Sequence, residues 1–326
     1  MVHSARMSEN KVPRIVAVGE LLWDLLPRGA RLGGAPANFA VFCARLGNRS
    51  VLVSSLGNDD YGNAARGQLV QPNLDLTQLQ RSDTYPTGTV DVTFSADNQP
   101  SYVIHRGVAW DFIQLTPGLL ATVRAADAIC FETLPQRHEV SRSTLRSMVE
   151  AAPAECVRVC DINIRMPDCS SEVLRWSVAH ADIIKVSDEE LPLTFSFLGG
   201  LGLPTQHLTP ETGSRALLEN FPDCKLVATT LGAEGSIVTT REGAFRHPGF
   251  PVKLVDTVGA GDAFTAGLVH AYLRGASPAM MAKIGNLCGS YVASQQGATP
   301  ALSAELIASI RAWLGTQEHP SSEESK

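Results

Sequence analysis

VRVCDI, residues Val157 to Ile162, and DIIKV, residues Asp182 to Val186, are apolar runs of strand length separated by a helical segment, and KLVATT (Lys225 to Thr230) repeats the pattern. A strand with successive apolar residues has no polar face to offer water, so it must be covered on both sides. Working outward, IVAV (Ile15 to Val18), VLVSS (Val51 to Ser55) and DAICF (Asp127 to Phe131) read the same way. Helical patterns such as APANFAVFCARLG and the stretch from Tyr61 lie between them. The expected fold is α/β, a doubly wound and mostly parallel sheet with helices on both faces, whose ligand sits at the carboxyl ends of the strands. Thr87 to Ile113 breaks the rhythm. TGTVDVTFSADNQPSYVIHRGVAWDFI alternates with period two around the turn-like ADNQP, which predicts an antiparallel hairpin. A hairpin cannot bury both faces alone, so it is read as a lid, joined by the extended stretch Leu21 to Leu32.

The chain has 326 residues, 44% of them hydrophobic and 18% charged, which excludes disorder and fibrous repeats. Its length admits two domains of equal rank or one large body with an appendage. Lys+Arg 27 against Asp+Glu 33 gives a net charge of −6, so no global basic field exists for nucleic acid and an anionic substrate must be held locally. The seven cysteines are odd in number and scattered through apolar stretches, which reads as free thiols in a reducing compartment. The opening MVHSARMSENKVPR has no apolar leader region, and no run approaches about 18 consecutive apolar residues. A cytoplasmic protein with no membrane partner is expected, with residues 1–12 and 317–326 as frayed polar tails. No G-x-x-x-x-G-K-[ST] and no G-x-G-x-x-G after a strand is present. No histidine pair at i, i+4 and no C-x-x-C suggests zinc, and the eight histidines are dispersed.

VDTVGAGDAFTAGLVHAYL, Val255 to Leu273, carries the chemistry. Gly259 and Gly261 flank Ala260 just before a helix whose apolar positions Phe264, Leu268, Ala271 and Tyr272 follow helical spacing. Small residues let backbone N–H groups approach an anion, and the helix N-terminus adds partial positive charge, so phosphate is the expected guest. Asp262 comes next, where a carboxylate can take the proton of an attacking hydroxyl while the amides hold a transferring phosphoryl. The alternative is structural: Asp256 caps the helix, the glycines make a tight turn and Asp262 complements the dipole.

DTVGAGDAFTAGL is similar to the C-terminal signature of the PfkB, or ribokinase-like, carbohydrate kinases, and GGAPANFAVFCARLG (Gly33 to Gly47) resembles their N-terminal signature. The two stand in the expected order, and the similarity spans Arg14 to Leu314. The resemblance implies a ribokinase-like kinase domain over residues 13–316, with a small β-sheet lid from about 21–32 and 87–113. It implies an ATP-dependent sugar kinase that uses Mg2+, works as a homodimer and takes a small-molecule sugar. By the same resemblance Asp262 is the catalytic base and the amides of Gly259, Ala260 and Gly261 form the anion hole. Asp24, Gly33, Gly34 and Asn38 bind the sugar, although in GGAPAN by itself Asn38 reads rather as a helix-start residue. CDINIR (Cys160 to Arg165) resembles the family's D-x-N-x-R segment, with Asn163 and Arg165 facing the phosphates and the sugar's reacting end. Asp161 in it also reads as a strand-end turn residue.

KVSDEEL (Lys185 to Leu191) resembles the N-x-x-E motif that organises Mg2+ and its waters, with Glu190 as the acid and Ser187 in place of the usual Asn. Ser reaches less far, and DEEL by itself is also a charged first helical turn. TTLGAEGS (Thr229 to Ser236) is similar to the family's nucleotide turn, through Thr230, Gly232 and Gly235, and Asn286 falls where the adenine pocket lies. Asp256, with carbonyls near Val258, Ser294 and Gly297, resembles a monovalent-cation site for K+. GELLWDLLP with GGAPANFA looks most like the fructokinase branch. RGVAWD places Arg106 where that branch has a lid arginine, with Trp110 displacing the usual spacing, so Arg106 either contacts sugar hydroxyls or is a solvated lid charge. The other acceptors open are 2-keto-3-deoxygluconate, ribose, a nucleoside and a sugar phosphate. Few basic residues (Arg28, Arg31, Arg106) stand near the acceptor end for the last of these. A non-catalytic sugar or nucleotide sensor on the same scaffold is the reading from another class.

Overall fold

Alternate residues of the first strand, β1 (Arg14–Val18), enter two different cores in the computed structural model of the protein, which describes residues 11–27, 29–94 and 100–315. Ile15 and Ala17 join one core, Val16 and Val18 the other, which is the two-sided burial that a continuous apolar run requires. After β1 come β2 (Leu22–Leu26), β3 (Gly29–Gly33), α1 (Ala35–Arg45), β4 (Arg49–Gly57), α2 (Asp60–Gln68), β5 (Leu74–Asp75), β6 (Leu79–Ser82), β7 (Gly88–Phe94) and β8 (Pro100–Ile104). The middle of the chain adds α3 (Pro117–Arg124), β9 (Ala128–Glu132), α4 (Glu139–Ala151), β10 (Val157–Asp161), α5 (Ser171–Ala179), β11 (Ile183–Ser187), α6 (Leu191–Leu198) and α7 (Pro210–Asn220). It closes with β12 (Leu226–Thr230), β13 (Ser236–Thr240), β14 (Gly243–His247), α8 (Ala260–Tyr272), α9 (Pro278–Ala293) and α10 (Ala304–Gly315).

The large sheet has ten strands in the order β14-β13-β12-β11-β10-β9-β1-β4-β5, with β6 also on β4. Pairing is parallel from β12 to β5, and only β13 and β14 run antiparallel at the edge. Phe39 and Phe42 of α1, Phe264 and Leu268 of α8, Ile284 of α9 and Ile310 of α10 fill one core. Leu119 of α3, Leu145 and Met148 of α4, Leu174 of α5, Phe195 of α6 and Leu217 of α7 fill the other. The expected doubly wound sheet is therefore present. The antiparallel edge was not foreseen beyond the β12 to β13 turn, because SIVTT and GAFRH are short and half polar.

A separate sheet of four strands, β3-β2-β7-β8, holds the expected hairpin, with Val90 opposite Ile104. The centre of its turn, Ser95 to Gln99, lies outside the described residues, as do residues 1–10, Arg28 and 316–326. Leu21 to Leu32 is more than an extended joint: β2 and β3 pair antiparallel, and β2 runs parallel to β7. The segment after β8 departs from the lid reading. Trp110 and Asp111 are buried in a 3-10 turn, Trp110 packs with Val108 and Leu134, and the Arg137 guanidinium stacks 4.0 Å above its ring. Lys11, expected in a frayed tail, is ion-paired to Asp127 at 2.6 Å.

Helices α8 and α9 cross at close range because Gly267 has no side chain. A Cβ there would stand 2.8 Å from Cys288 Sγ and 3.0 Å from the Ile284 carbonyl oxygen. Gly267→Val is expected to lose about 1–3 kcal/mol by overpacking, more than the few tenths of a kcal/mol (about 0.3–0.5) that valine gains over glycine in a helix. Urea unfolding measures it, and a midpoint at or above the parent's would contradict the close crossing.

Candidate active site

The carboxyl ends of the parallel strands carry the polar residues. Glu20 follows β1, Glu132 ends β9, Asp161 ends β10, and Ser187 and Thr230 end β11 and β12. The first turn of α8 reaches the same edge. Gly259 caps it at φ 80°, and a Cβ there would lie 2.1 Å from the Ala298 carbonyl oxygen, so only glycine fits. No side chain caps the turn. The Ala260 amide donates to the Thr257 carbonyl at 3.2 Å, which corrects the expectation that it is an open donor. Among the described residues the amides of Gly259 and Gly261 have no protein partner, and they stand at the positive end of the helix.

Asp262 is buried beside this turn, and its Oδ2 accepts from Asn38 Nδ2 at 2.8 Å. Burial pushes its carboxyl up to about 6, opposed by the Asn38 bond, with Asp161 adding to the rise and Lys185 and Arg165 opposing it. The residues expected to meet the sugar lie on β2, at the end of β3 and at the start of α1. Gly33 leaves room for Asp24, since a Cβ on it would meet Asp24 Oδ2 at 2.8 Å. Gly34, at φ 110°, precedes α1, and Glu20 Oε1 accepts the Ala35 amide at 3.3 Å. Desolvation raises the Asp24 carboxyl while Arg31 opposes it. Arg165 is exposed and close enough to bias both Glu20 and Asp262.

Three expected sugar or nucleotide residues are engaged elsewhere. Asn163, in the left-handed region at φ 43°, donates to Glu132 Oε2 at 2.6 Å. Arg106 pairs with Asp168, which also takes Arg137 at 3.1 Å, so Arg106 closes an ion-pair network at the stem of the small sheet. Asn286 is buried, and its amide donates to Ser236 Oγ at 2.6 Å and to the Ala282 carbonyl at 2.7 Å, which links α9 to β13. Glu190, expected on the nucleotide side, is held ionised. Burial favours its neutral form, but Lys185 and the bonds from the Ser187 amide, the Ser187 hydroxyl and the Ile164 amide outweigh that and lower it. Ser187 thus orients Glu190.

Thr230 and Gly232 stand at the β12 turn, and Gly235 is required there because a Cβ would come within 2.0 Å of the His247 carbonyl oxygen. Asp256 takes the Val258 and Gly297 amides at 3.1 Å each and Arg31 Nη1 at 3.2 Å. Val258 and Gly297, two of the neighbours expected around K+, thus meet Asp256 through their amides. The acid is nonetheless satisfied by a guanidinium and two amides, a donor set that does not fit a bare cation.

Sequence reasoning missed Glu20, Glu132 and Lys185. Burial raises Glu20 to about 7, and burial together with Glu20, Asp161 and Asp262 raises Glu132 well above the usual carboxylate range. Glu20 Oε2 is buried without a partner. The only signal was their place in the motifs GELL, CFET and KVSDEE at strand ends. Such a cluster of perturbed acids in one cleft marks a functional site.

The pfkB carbohydrate kinase pattern matches residues 28–305. The chain is 31% identical over 320 residues to the probable fructokinase-3 of Arabidopsis thaliana, covering 90% of each. Its fold is similar to that of a fructokinase from Vibrio cholerae O395 in a fructose, ADP and calcium bound form, with TM-score 0.75, 26% identity, and 93% and 99% of the two chains covered. The aminoimidazole riboside kinase of Salmonella enterica, complexed with aminoimidazole riboside and an ATP analog, is similar at TM-score 0.72 and 26% identity over 92% and 99%. The matched span contains the glycine turn before α8, Asp262 and Asn38, which meet at one edge of the sheet. The chain belongs to the pfkB family of carbohydrate kinases, enzymes that transfer a phosphoryl group to a sugar hydroxyl.

Proposed function

We propose that the acceptor is fructose, that Asp262 is the base and that the amides around Gly259 and Gly261 hold the transferring phosphoryl of ATP. The observation that carries the assignment is the Asn38–Asp262 hydrogen bond beside an uncapped, glycine-opened helix start. In the transfer, Asp262 accepts the proton of the sugar hydroxyl as its oxygen bonds to the γ-phosphorus, and the bond to the bridging oxygen breaks to release ADP. Asn38 orients the carboxylate, and Arg165 and the open amides offset charge on the phosphoryl. Asp24, Gly33 and Gly34 form the sugar side. Mg2+ bound with ATP would neutralise phosphate charge, and Glu190, ionised with its orientation fixed, has the chemistry to hold its water shell. K+ is left out, because Asp256 already carries Arg31. The small sheet, as a lid, would exclude water.

A nucleoside-like acceptor is the second reading, favoured by the likeness to the riboside kinase. Release of ADP with fructose, ribose, 2-keto-3-deoxygluconate, a nucleoside and fructose 6-phosphate separates the two. Fructose is expected to give the highest kcat/KM, and turnover of none would leave a sensor. Outward-facing Tyr102 and Val103 on β8 support a homodimer through the small sheets, and sedimentation as a monomer at micromolar concentration would remove it. Seven buried, unpaired thiols support a reducing, cytoplasmic location.

Asp262→Asn is expected to lower kcat about 10²- to 10⁴-fold with sugar KM little changed, and near-parental kcat would refute the base. In the parent, kcat/KM should fall as pH drops through about 6, where the carboxylate gains its proton. The same raised value sets the sign for stability. The fold favours the protonated form, so this contribution is full below the unfolded value near 3.8 and is lost as pH rises through about 6. Asp262→Asn should therefore stabilise the protein at pH 8, by up to about 3 kcal/mol, and hardly at pH 4. Thermal melts at the two pH values check this.

A further inference from the structure

The register of three adjacent strands sets a row of ionisable side chains at the floor of the site. Glu132 of β9 lies beside Asp161 of β10, and Asp161 lies beside Lys185 of β11. Lys185 Nζ donates to Asp161 Oδ1 at 3.0 Å, and the other oxygen, Oδ2, accepts from Thr265 Oγ1 of α8 at 2.9 Å. Thr265 also bonds the Gly261 carbonyl at 3.0 Å, and a Cβ on Gly261 would stand only 3.3 Å from the ammonium. The Lys185 side chain is 11% exposed. Among the described residues it has one hydrogen-bond partner, which leaves N–H groups unspent beneath the glycine turn.

We infer that Lys185 is a positioning residue for phosphoryl transfer: its buried ammonium anchors Asp161, whose other oxygen holds α8 through Thr265, and sets a fixed positive charge under the anion-binding turn. The inference rests on the proposed roles of Asp262 and that turn. Charge behind the turn stabilises the phosphoryl in transfer and keeps Asp262 ionised among its neighbours, which are Glu20 after β1, Glu132 on β9, Asp161 on β10, Arg165 after it and Glu190 before α6. Burial alone would weaken the ammonium, yet Asp161 and Glu190 hold it protonated throughout the working range. The competing role is purely structural, in which Lys185 only neutralises buried Asp161.

Steady-state ADP release and thermal melts of the parent, Lys185→Met, Lys185→Arg and the double variant Lys185→Met with Asp161→Asn distinguish the two roles. In Lys185→Met, kcat should fall about 10²-fold with sugar KM within about three-fold, and the acid limb should move to higher pH. Lys185→Arg should lose less than about ten-fold, since charge is kept. The double variant removes both charges, so its melting temperature and acid limb should return toward the parent's while kcat stays low. Parental kcat in either methionine variant would overturn the inference. If Lys185→Met does not fold, the double variant decides. An active parent whose Asp262→Asn variant keeps parental kcat would instead overturn the underlying base assignment.

Discussion

Lys185 and Asp161, buried 3.0 Å apart at the ends of two parallel strands, form the ion pair on which the site's geometry depends. A buried pair contributes little net stability against an apolar replacement, because desolvating two charges offsets their attraction. Removing one partner is another matter, since it strands a charge in the interior and costs about 3–5 kcal/mol. The pair therefore acts as a constraint more than as glue. It admits one placement of α8 relative to the sheet, through Thr265, and one local field in which Asp262 can sit near a useful protonation balance.

Close approach is the second constraint, and glycine meets it wherever backbone or charge must come near. Gly267 lets α8 cross α9, Gly259 lets the helix start against the Ala298 carbonyl, and Gly33 leaves space for the Asp24 carboxylate. The helix start is left uncapped as a result, and its amides face the cleft that the acids line. Two kinds of residue thus share one edge: backbone donors that receive an anion and buried acids whose neutral forms the fold favours. Arg165, on the solvent side, is the exposed complement to buried Lys185 below.

Much of this was legible in the sequence, and the gaps have physical causes. The β1, β4, β9, β10, β11 and β12 strands followed from apolar runs, since two-sided burial leaves a mark on every residue. Ser187 and Glu190 are close in the chain, so their mutual bonding is a local matter that the motif implied in outline. Asn286, Asn163 and Arg106 each hold a protein partner, because a polar residue can be drawn to one as readily as to a ligand. Nothing in the chain order shows that Ser236, Glu132 and Asp168 are those partners.

By itself the sequence determined the layered α/β architecture, the glycine turn before α8 and the kinds of side chain at the strand ends, because burial pattern and backbone freedom are properties of neighbouring residues. Only the tertiary structure decided which of those side chains meet. Asn38 and Asp262 are 224 positions apart, and the row Glu132, Asp161 and Lys185 exists because three strands pair in one register. Register is set by the whole of both cores. A shift by one residue would turn each of these acids, and the lysine beside Asp161, away from the site.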